Sequence, residues 1–260
     1  MYKIIDTHSH LFAEEFDEDR SEVMRRAREV GVQRILMPNI DVSTVDSMLR
    51  VCAEYPGFCY PMLGLHPTEV TADYCLSLDV LKRLLDSDPQ MFVAIGEVGL
   101  DFYWDKTYKS EQLAALEVQI GWALEHDLPL VIHSREAFPE LYAIFSHYKD
   151  TPIRGIFHSF TGTADEAQSL LEFPGFLLGI NGVVTFKKST LPEALRDVPL
   201  SRLVVETDSP YLAPAPYRGK RNESGYIVRV VERLSELYAC TPEKVAEQTS
   251  ANAASIFRLS

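Results

Sequence analysis

Four things are scarce in this chain. The four cysteines, Cys52, Cys59, Cys75 and Cys240, contain no CxxC pair. That speaks against a disulfide frame and fits a reducing compartment. Basic side chains are outnumbered: 25 lysines and arginines face 38 aspartates and glutamates, for a net charge of −13. The balance excludes a protein that coats nucleic acid through a basic surface. It does not exclude an enzyme that acts on nucleic acid. Long apolar runs are missing, with nothing approaching the roughly 20 residues of a membrane span. Asp6 also interrupts the start, where a signal peptide would need its apolar segment. Linkers are missing too, and the one Pro-dense stretch is Pro210–Pro216. The expectation is a cytoplasmic protein with no membrane partner, monomeric by default.

What is present is regular. The 260 residues, 46% apolar and 24% charged, suit one barrel-sized domain, residues 1–260. Short apolar runs at Lys3–Asp6, Arg34–Pro38, Cys59–Leu65, Phe92–Gly96, Leu130–His133, Gly155–His158, Phe176–Ile180 and Leu203–Glu206 read as strands. Helix-period segments lie between most of them. The first carries Val23, Met24, Ala27 and Val30 at helical spacing and stops at Gly31. Others fall at Ser43–Glu54, Ser77–Asp86, Lys109–His126, Arg135–Tyr148, Ala164–Leu171 and Glu223–Tyr238, with Asn181–Pro199 the least regular connection. Repeated strand–helix units imply parallel strands joined by crossovers. Eight of them in this length predict a (β/α)8 TIM barrel, an α/β fold, with Pro242–Phe257 as an extra C-terminal helix. An open doubly wound sheet is the competing arrangement.

A barrel carries its chemistry at the C-terminal ends of its strands. Five of the seven histidines stand there: His8, His10, His66, His133 and His158. Glu97, Glu206 and Asp208 join them, whereas His126 and His147 fall in predicted helices. His8 and His10, two apart, can project side by side. Singly, each has an ordinary explanation, such as a turn with exposed imidazoles, a core histidine or a structural ion pair. Jointly, on one rim, they predict a metal site. Imidazole and carboxylate suit Zn, Mn, Fe, Co or Ni, and nucleases often use Mg. The inventory exceeds what one ion needs, so two divalent ions bridged by Glu97 use it better.

These residues sit in longer motifs: Asp6-Thr7-His8-Ser9-His10-Leu11, Gly64-Leu65-His66-Pro67, Ala94 through Asp101, His133-Ser134-Arg135, His158 through Gly162, Glu206 through Leu212, and Arg218 through Glu223. Over nearly its whole length the chain resembles the TatD-type metal-dependent deoxyribonucleases of the amidohydrolase-like barrel superfamily. The resemblance implies one ion on His8, His10, Glu97 and Asp208, and a second on Glu97, His133 and His158. It also implies a 3′-to-5′ exonuclease acting on single-stranded DNA ends. Asp208 is then placed to take a proton from the attacking water. Arg135, and His66 if protonated, can neutralise charge on a phosphoryl oxygen. Glu206 is expected to orient a ligand or His66. Asp101, Arg135, Arg218, Lys220 and Arg221 are the expected substrate contacts, with Lys187 and Lys188 a second basic cluster. Phe102, Tyr103 and Trp104 can stack on bases or simply pack their loop. Two other readings stay open: a hydrolase of a small amide, lactone or ester or of an aminoacyl ester, and a nucleic-acid or partner-binding protein with structural metals.

Overall fold

The apolar runs become strands and the amphipathic segments become helices, in strict alternation. A computed structural model describes residues 2–259. Its strands are β1 (Ile4–Asp6), β2 (Val32–Pro38), β3 (Cys59–Met62), β4 (Ile95–Asp101), β5 (Leu130–Arg135), β6 (Gly155–Phe157), β7 (Phe176–Ile180) and β8 (Leu203–Val205). The helices are α1 (Arg20–Glu29), α2 (Val45–Glu54), α3 (Tyr74–Ser87), α4 (Lys109–Glu125), α5 (Phe138–Ser146), α6 (Ala164–Leu170), α7 (Leu191–Ala194), α8 (Ile227–Leu237) and α9 (Pro242–Ile256). No helix among the described residues is long and apolar enough to cross a membrane. All four cysteines are free thiols.

Each paired strand is parallel to its neighbour, in the runs β1-β2-β3 and β4-β5-β6-β7-β8. Backbone hydrogen bonds join both seams. Between β3 and β4, Leu63 N donates to Ala94 O at 3.1 Å and Gly96 N to Leu63 O at 2.9 Å. Between β8 and β1, Thr7 N donates to Val205 O at 3.2 Å and Asp208 N to His8 O at 2.9 Å. The strands therefore ring one axis as a (β/α)8 barrel.

Three of the boundaries that differ from expectation lie beside the polar end of the barrel. The apolar run predicted β4 at Phe92–Gly96, but the strand spans Ile95–Asp101. Hydrogen bonding decides this: after a bulge between Ile95 and Val98, pairing with β5 continues to Asp101 opposite Arg135. Glu97 therefore lies inside a strand rather than after one. The same pairing keeps Arg135 in β5, so α5 starts at Phe138 instead of Arg135. Likewise α8 begins at Ile227, after a 3-10 turn over Ser224–Tyr226, rather than at Glu223.

Side-chain alternation builds the interior in layers. Ile5, Leu36, Met62, Ala94, Val131, Ile156, Leu177 and Val204 form one apolar cluster, a residue from each strand or its lead-in. Ala253 of α9 and Phe257 beyond it complete this cluster from below. Ser250 anchors α9 there: its Oγ accepts from Ile5 N at 3.1 Å and donates to Lys3 O at 2.9 Å. The outward faces, including Ile4, Ile35, Met37, Ile132 and Leu178, bury against the helices in a second, larger core. Each large apolar side chain buried this way contributes roughly 1.5–3 kcal/mol. Two residues beyond the apolar layer the interior turns polar.

Candidate metal centre

The polar layer begins where the strands run out. His133 and His158 stand two residues past Val131 and Ile156, and Glu206 two past Val204. Gly179 makes room for that acid, because a Cβ there would lie 2.5 Å from Glu206 Oε2. His8 and His10 follow β1, and Asp208 follows β8 at a positive φ of 57°. The bridge between Ser9 and Ser209 holds these two segments in register.

Glu97 stands at the centre, 3% exposed. Its Oε2 lies 3.0 Å from His8 Nε2 and 3.7 Å from His10 Nε2. Its Oε1 lies 3.0 Å from His133 Nδ1, 3.3 Å from His66 Nε2 and 3.7 Å from His158 Nε2. One carboxylate thus divides five imidazoles into two groups. Asp208 Oδ1 closes the first, 3.7 Å from His10 Nε2 and 3.8 Å from His8 Nε2. It also lies 3.8 Å from His158 Nε2. Three sets here have the mutual spacing of metal ligands, His8–His10–Glu97, His66–Glu97–His133 and His8–His158–Glu206, and a fourth, Asp86–Glu125–His126, lies apart on the exposed surface.

The electrostatics match a cation site. Burial pushes the Glu97 carboxyl up, but the surrounding imidazoles, His8 foremost, hold it well below the usual range. Burial likewise opposes ionisation of Asp208, and His158 and His10 outweigh it, so its carboxyl is also lowered. Burial and the neighbouring His158 lower His8, while burial lowers His66. His133 goes the other way: burial opposes protonation, but Asp101 and Glu97 raise it to about 9. His158 is raised to about 10 against its burial, chiefly by Glu206, Glu97 and Asp208. The Nε2 atoms of His8 and His10 lie 3.2 Å apart, while their buried Nδ1 atoms have no hydrogen-bond partner. Clustered imidazole nitrogens around a shared carboxylate, with partners left unmade, fit divalent cations of the borderline class.

The expected site residues take up unequal positions. His66 joins the Glu97 group, its Nδ1 accepting from Thr68 N at 3.2 Å. Glu206 is fully buried on His158, 2.9 Å from Nδ1 though not aligned as a hydrogen bond, and accepts from Ser159 N at 2.6 Å. It does not reach His66. Asp101, expected at the substrate, is 2% exposed. Its Oδ2 contacts His133 Nε2 at 3.0 Å and its Oδ1 accepts from Tyr103 N at 2.9 Å, so its carboxylate is engaged by the His133 ring and the following loop. Arg221 is committed to Asp19, with both nitrogens at 2.8 Å, and lies over the Phe16 ring. Its partner lies in the segment entering α1, so it ties two loops together rather than facing outward. Lys220 is exposed, and Arg218 stacks on Phe186 at 3.7 Å. Arg135 is exposed and stacks on Tyr103 at 3.7 Å.

Several supporting residues escaped the sequence reading. Fully buried Asp6 accepts from Thr207 N at 2.9 Å, Thr207 Oγ1 at 2.7 Å and His8 N at 3.4 Å, fastening the segment after β1 to the segment after β8. Burial pushes its carboxyl up to about 7, against hydrogen bonds from Ser224 and Thr207. Asn222 Nδ2 donates to Thr207 O at 2.8 Å and Tyr211 O at 2.6 Å, shaping the loop after β8. Two buried glutamines of α4 hold backbone groups beside the site. Gln119 Oε1 accepts from Leu65 N at 2.7 Å, and Gln112 Oε1 from Asp101 N at 2.9 Å. The available signal was the placing of Gln112 and Gln119 beside the apolar positions Leu113, Leu116 and Ile120 of α4.

The chain is similar to known proteins along its length. The family model described as TatD related DNase matches residues 5–258. The uncharacterized metal-dependent hydrolase YabD of Bacillus subtilis is 38% identical over 257 residues, covering 98% of this chain and 99% of that protein. A 3'-5' ssDNA/RNA exonuclease TatD of Erwinia tasmaniensis is 32% identical over 262 residues, covering 98% of this chain and 100% of that one. Among solved structures, the TatD homolog YjjV from Escherichia coli K12 superposes with a TM-score of 0.90 at 29% identity, covering 98% of each chain.

Proposed function

The chain belongs to the TatD related DNase family of metal-dependent hydrolases, and from that premise we propose that it removes nucleotides from the 3′ end of single-stranded DNA with two divalent ions. The carrying observation is the division of Glu97. Its two oxygens face two separate imidazole groups, His8 and His10 on one side and His133, His66 and His158 on the other.

In this reading His8, His10, Glu97 and Asp208 hold one ion, and Glu97, His133 and His158 hold the other. The chemistry that ions held there would supply is Lewis acidity towards a phosphoryl oxygen and a water pKa lowered towards neutrality. Asp208, ionised and at the edge of the ring, accepts the proton at its free carboxylate oxygen and returns it to the leaving oxygen. Asp101 and Glu206 fix the rings of His133 and His158 from behind. Exposed Arg135 would offset charge developing on a phosphoryl oxygen, whereas burial lowers the His66 pKa, so that ring would position Glu97 Oε1 instead of neutralising charge. The strand polarity rests on the relatives named as 3'-5' ssDNA/RNA exonucleases. The cations needed are few and local, which reconciles the function with a net charge of −13.

The test is incubation of zinc-, manganese- or magnesium-loaded protein with 3′-labelled and 5′-labelled single-stranded oligonucleotides, beside Asp208→Asn and Glu97→Ala. Stepwise loss of 3′ nucleotides by the unaltered chain alone supports the proposal. Intact oligonucleotides with every metal, together with turnover of a lactone or amide panel, would overturn it.

A further inference from the structure

One exposed structure on the ligand rim has no role in holding the ring. Trp104, in the loop between β4 and α4, is 71% exposed, and Tyr103 beside it is 49% exposed. Their rings meet edge to face with centroids 4.9 Å apart. The Arg135 guanidinium lies 3.7 Å from the Tyr103 centroid and 5.2 Å from that of Trp104. No ion pair to a carboxylate engages Arg135 among the described residues. An exposed guanidinium with no acidic partner, stacked beside two exposed rings, offers a ligand both a flat apolar face and a cationic group.

The loop is held in place. Asp101 Oδ1 accepts from Tyr103 N at 2.9 Å and from Trp104 N at 3.4 Å, while Oδ2 of the same carboxylate contacts His133. One buried side chain therefore sets the aromatic pair relative to the ligand ring. Lys106 and Lys109 pair with Glu136 and Glu140, tying the loop to the segment beyond β5. Arg135 also lines a cavity of about 500 Å³ whose wall includes His158, Phe138 and Phe160. Arg135, on which the aromatic pair stacks, thus borders open space that reaches His158 of the ring.

We infer that Trp104, with Tyr103 and Arg135, forms a stacking site for an unpaired nucleobase of the bound strand, Trp104 taking the base and Arg135 the adjoining phosphate. This rests on the nuclease reading above and specifies how the strand is held. Stacking on a π face accepts any base but requires it to be unpaired. The site would then select single strands by base exposure, and a modest cation count would suffice for binding.

The test uses zinc-loaded protein carrying Asp208→Asn to stop cleavage, with a ten-residue oligothymidylate and an abasic strand of equal length as probes. The chain has two tryptophans, and Trp122 is buried, so Trp104 reports at the surface. Oligothymidylate is expected to quench the tryptophan emission, and the abasic strand is not. Trp104→Ala is expected to weaken oligothymidylate binding roughly 5- to 150-fold, measured by anisotropy of a labelled strand, and to leave abasic binding unchanged. Trp104→Phe should restore most of the affinity without the quench. Equal oligothymidylate binding by Trp104→Ala and its parent would overturn the stacking site while leaving the nuclease standing. Equal weakening for both strands would overturn it as well, showing a loop effect. If the parent binds neither strand and the unaltered enzyme cleaves none, both proposals fall.

Discussion

The two ends of the barrel interior are built from the same strands, about 6.6 Å apart along each, and follow opposite rules. The lower end is shape: Ile5, Leu36, Val131, Ile156 and their partners, sealed by Phe257. The upper end is charge: a buried Glu97 among five imidazoles, each held by a contact from outside the ring or left with an orphan nitrogen. The lower layer gains stability from burial alone and is indifferent to pH. The upper layer buries ionisable groups at a cost, and that cost is recovered only through pairing or a bound cation. A barrel of this kind separates what keeps it folded from what makes it react.

Substitutions can break that separation or sharpen it. The largest effect is expected from Glu97→Ala. Loss of the shared carboxylate should lower kcat by at least about 10³-fold, the several kcal/mol that metal-assisted charge stabilisation supplies. Metal content read by elemental analysis should fall in parallel, with an unchanged circular-dichroism spectrum. Phe257→Ala is the mirror image. It should cost about 3–5 kcal/mol in urea unfolding, with kcat per folded molecule preserved. If kcat fell as far as stability, the two ends would not be independent. Glu206→Gln keeps the volume beside Gly179 and removes the charge behind His158. Metal affinity should weaken by roughly 10–100-fold, measured by competition with a chelator.

The pH dependence of the metal-free protein comes next. His133 and His158 titrate at about 9 and about 10 when folded, above their ordinary value of 6.5. A raised imidazole pKa contributes stability that is complete below the unfolded value. It is lost as pH rises through the folded one. Metal-free protein should therefore melt progressively lower from about pH 6.5 to about pH 10, monitored by calorimetry. Zinc-loaded protein should be flatter over that window, because the ligands are already deprotonated. A flat metal-free profile would mean that these rings are neutral without metal. The smallest effect is expected at Arg221→Ala. The Arg221–Asp19 pair is about one-third exposed on each side and should contribute less than about 1 kcal/mol, measured by urea unfolding. Oligonucleotide cleavage should be unchanged, in contrast to Arg218→Ala at the neighbouring rim cation.

Much of this was legible in the sequence because both ends leave local marks. Apolar runs of four to seven residues mark the strands, and histidines at their ends mark the ring, since few other residues can do that chemistry. The failures share a cause. β4 was placed early because Glu97 ends the apolar run, whereas hydrogen bonding to β5 carries the strand through it to Asp101. Arg221 read as a free cation because Asp19 lies 202 residues away. Asp101 read as a rim acid because its engagement with His133 depends on the β4–β5 register. Partners set by closure of a ring leave no trace in local spacing.

The plug at the lower end has a consequence for synthesis. Ile5 and Ser250 are hydrogen-bonded across 245 residues of chain. Phe257 fills the layer that Ile5 begins. A nascent chain emerges amino-terminus first, at about 5–20 residues per second. All eight strands can therefore leave the ribosome while the floor they share still lacks its last aromatic ring. For several seconds the emerging barrel can present that apolar layer without its last covering ring.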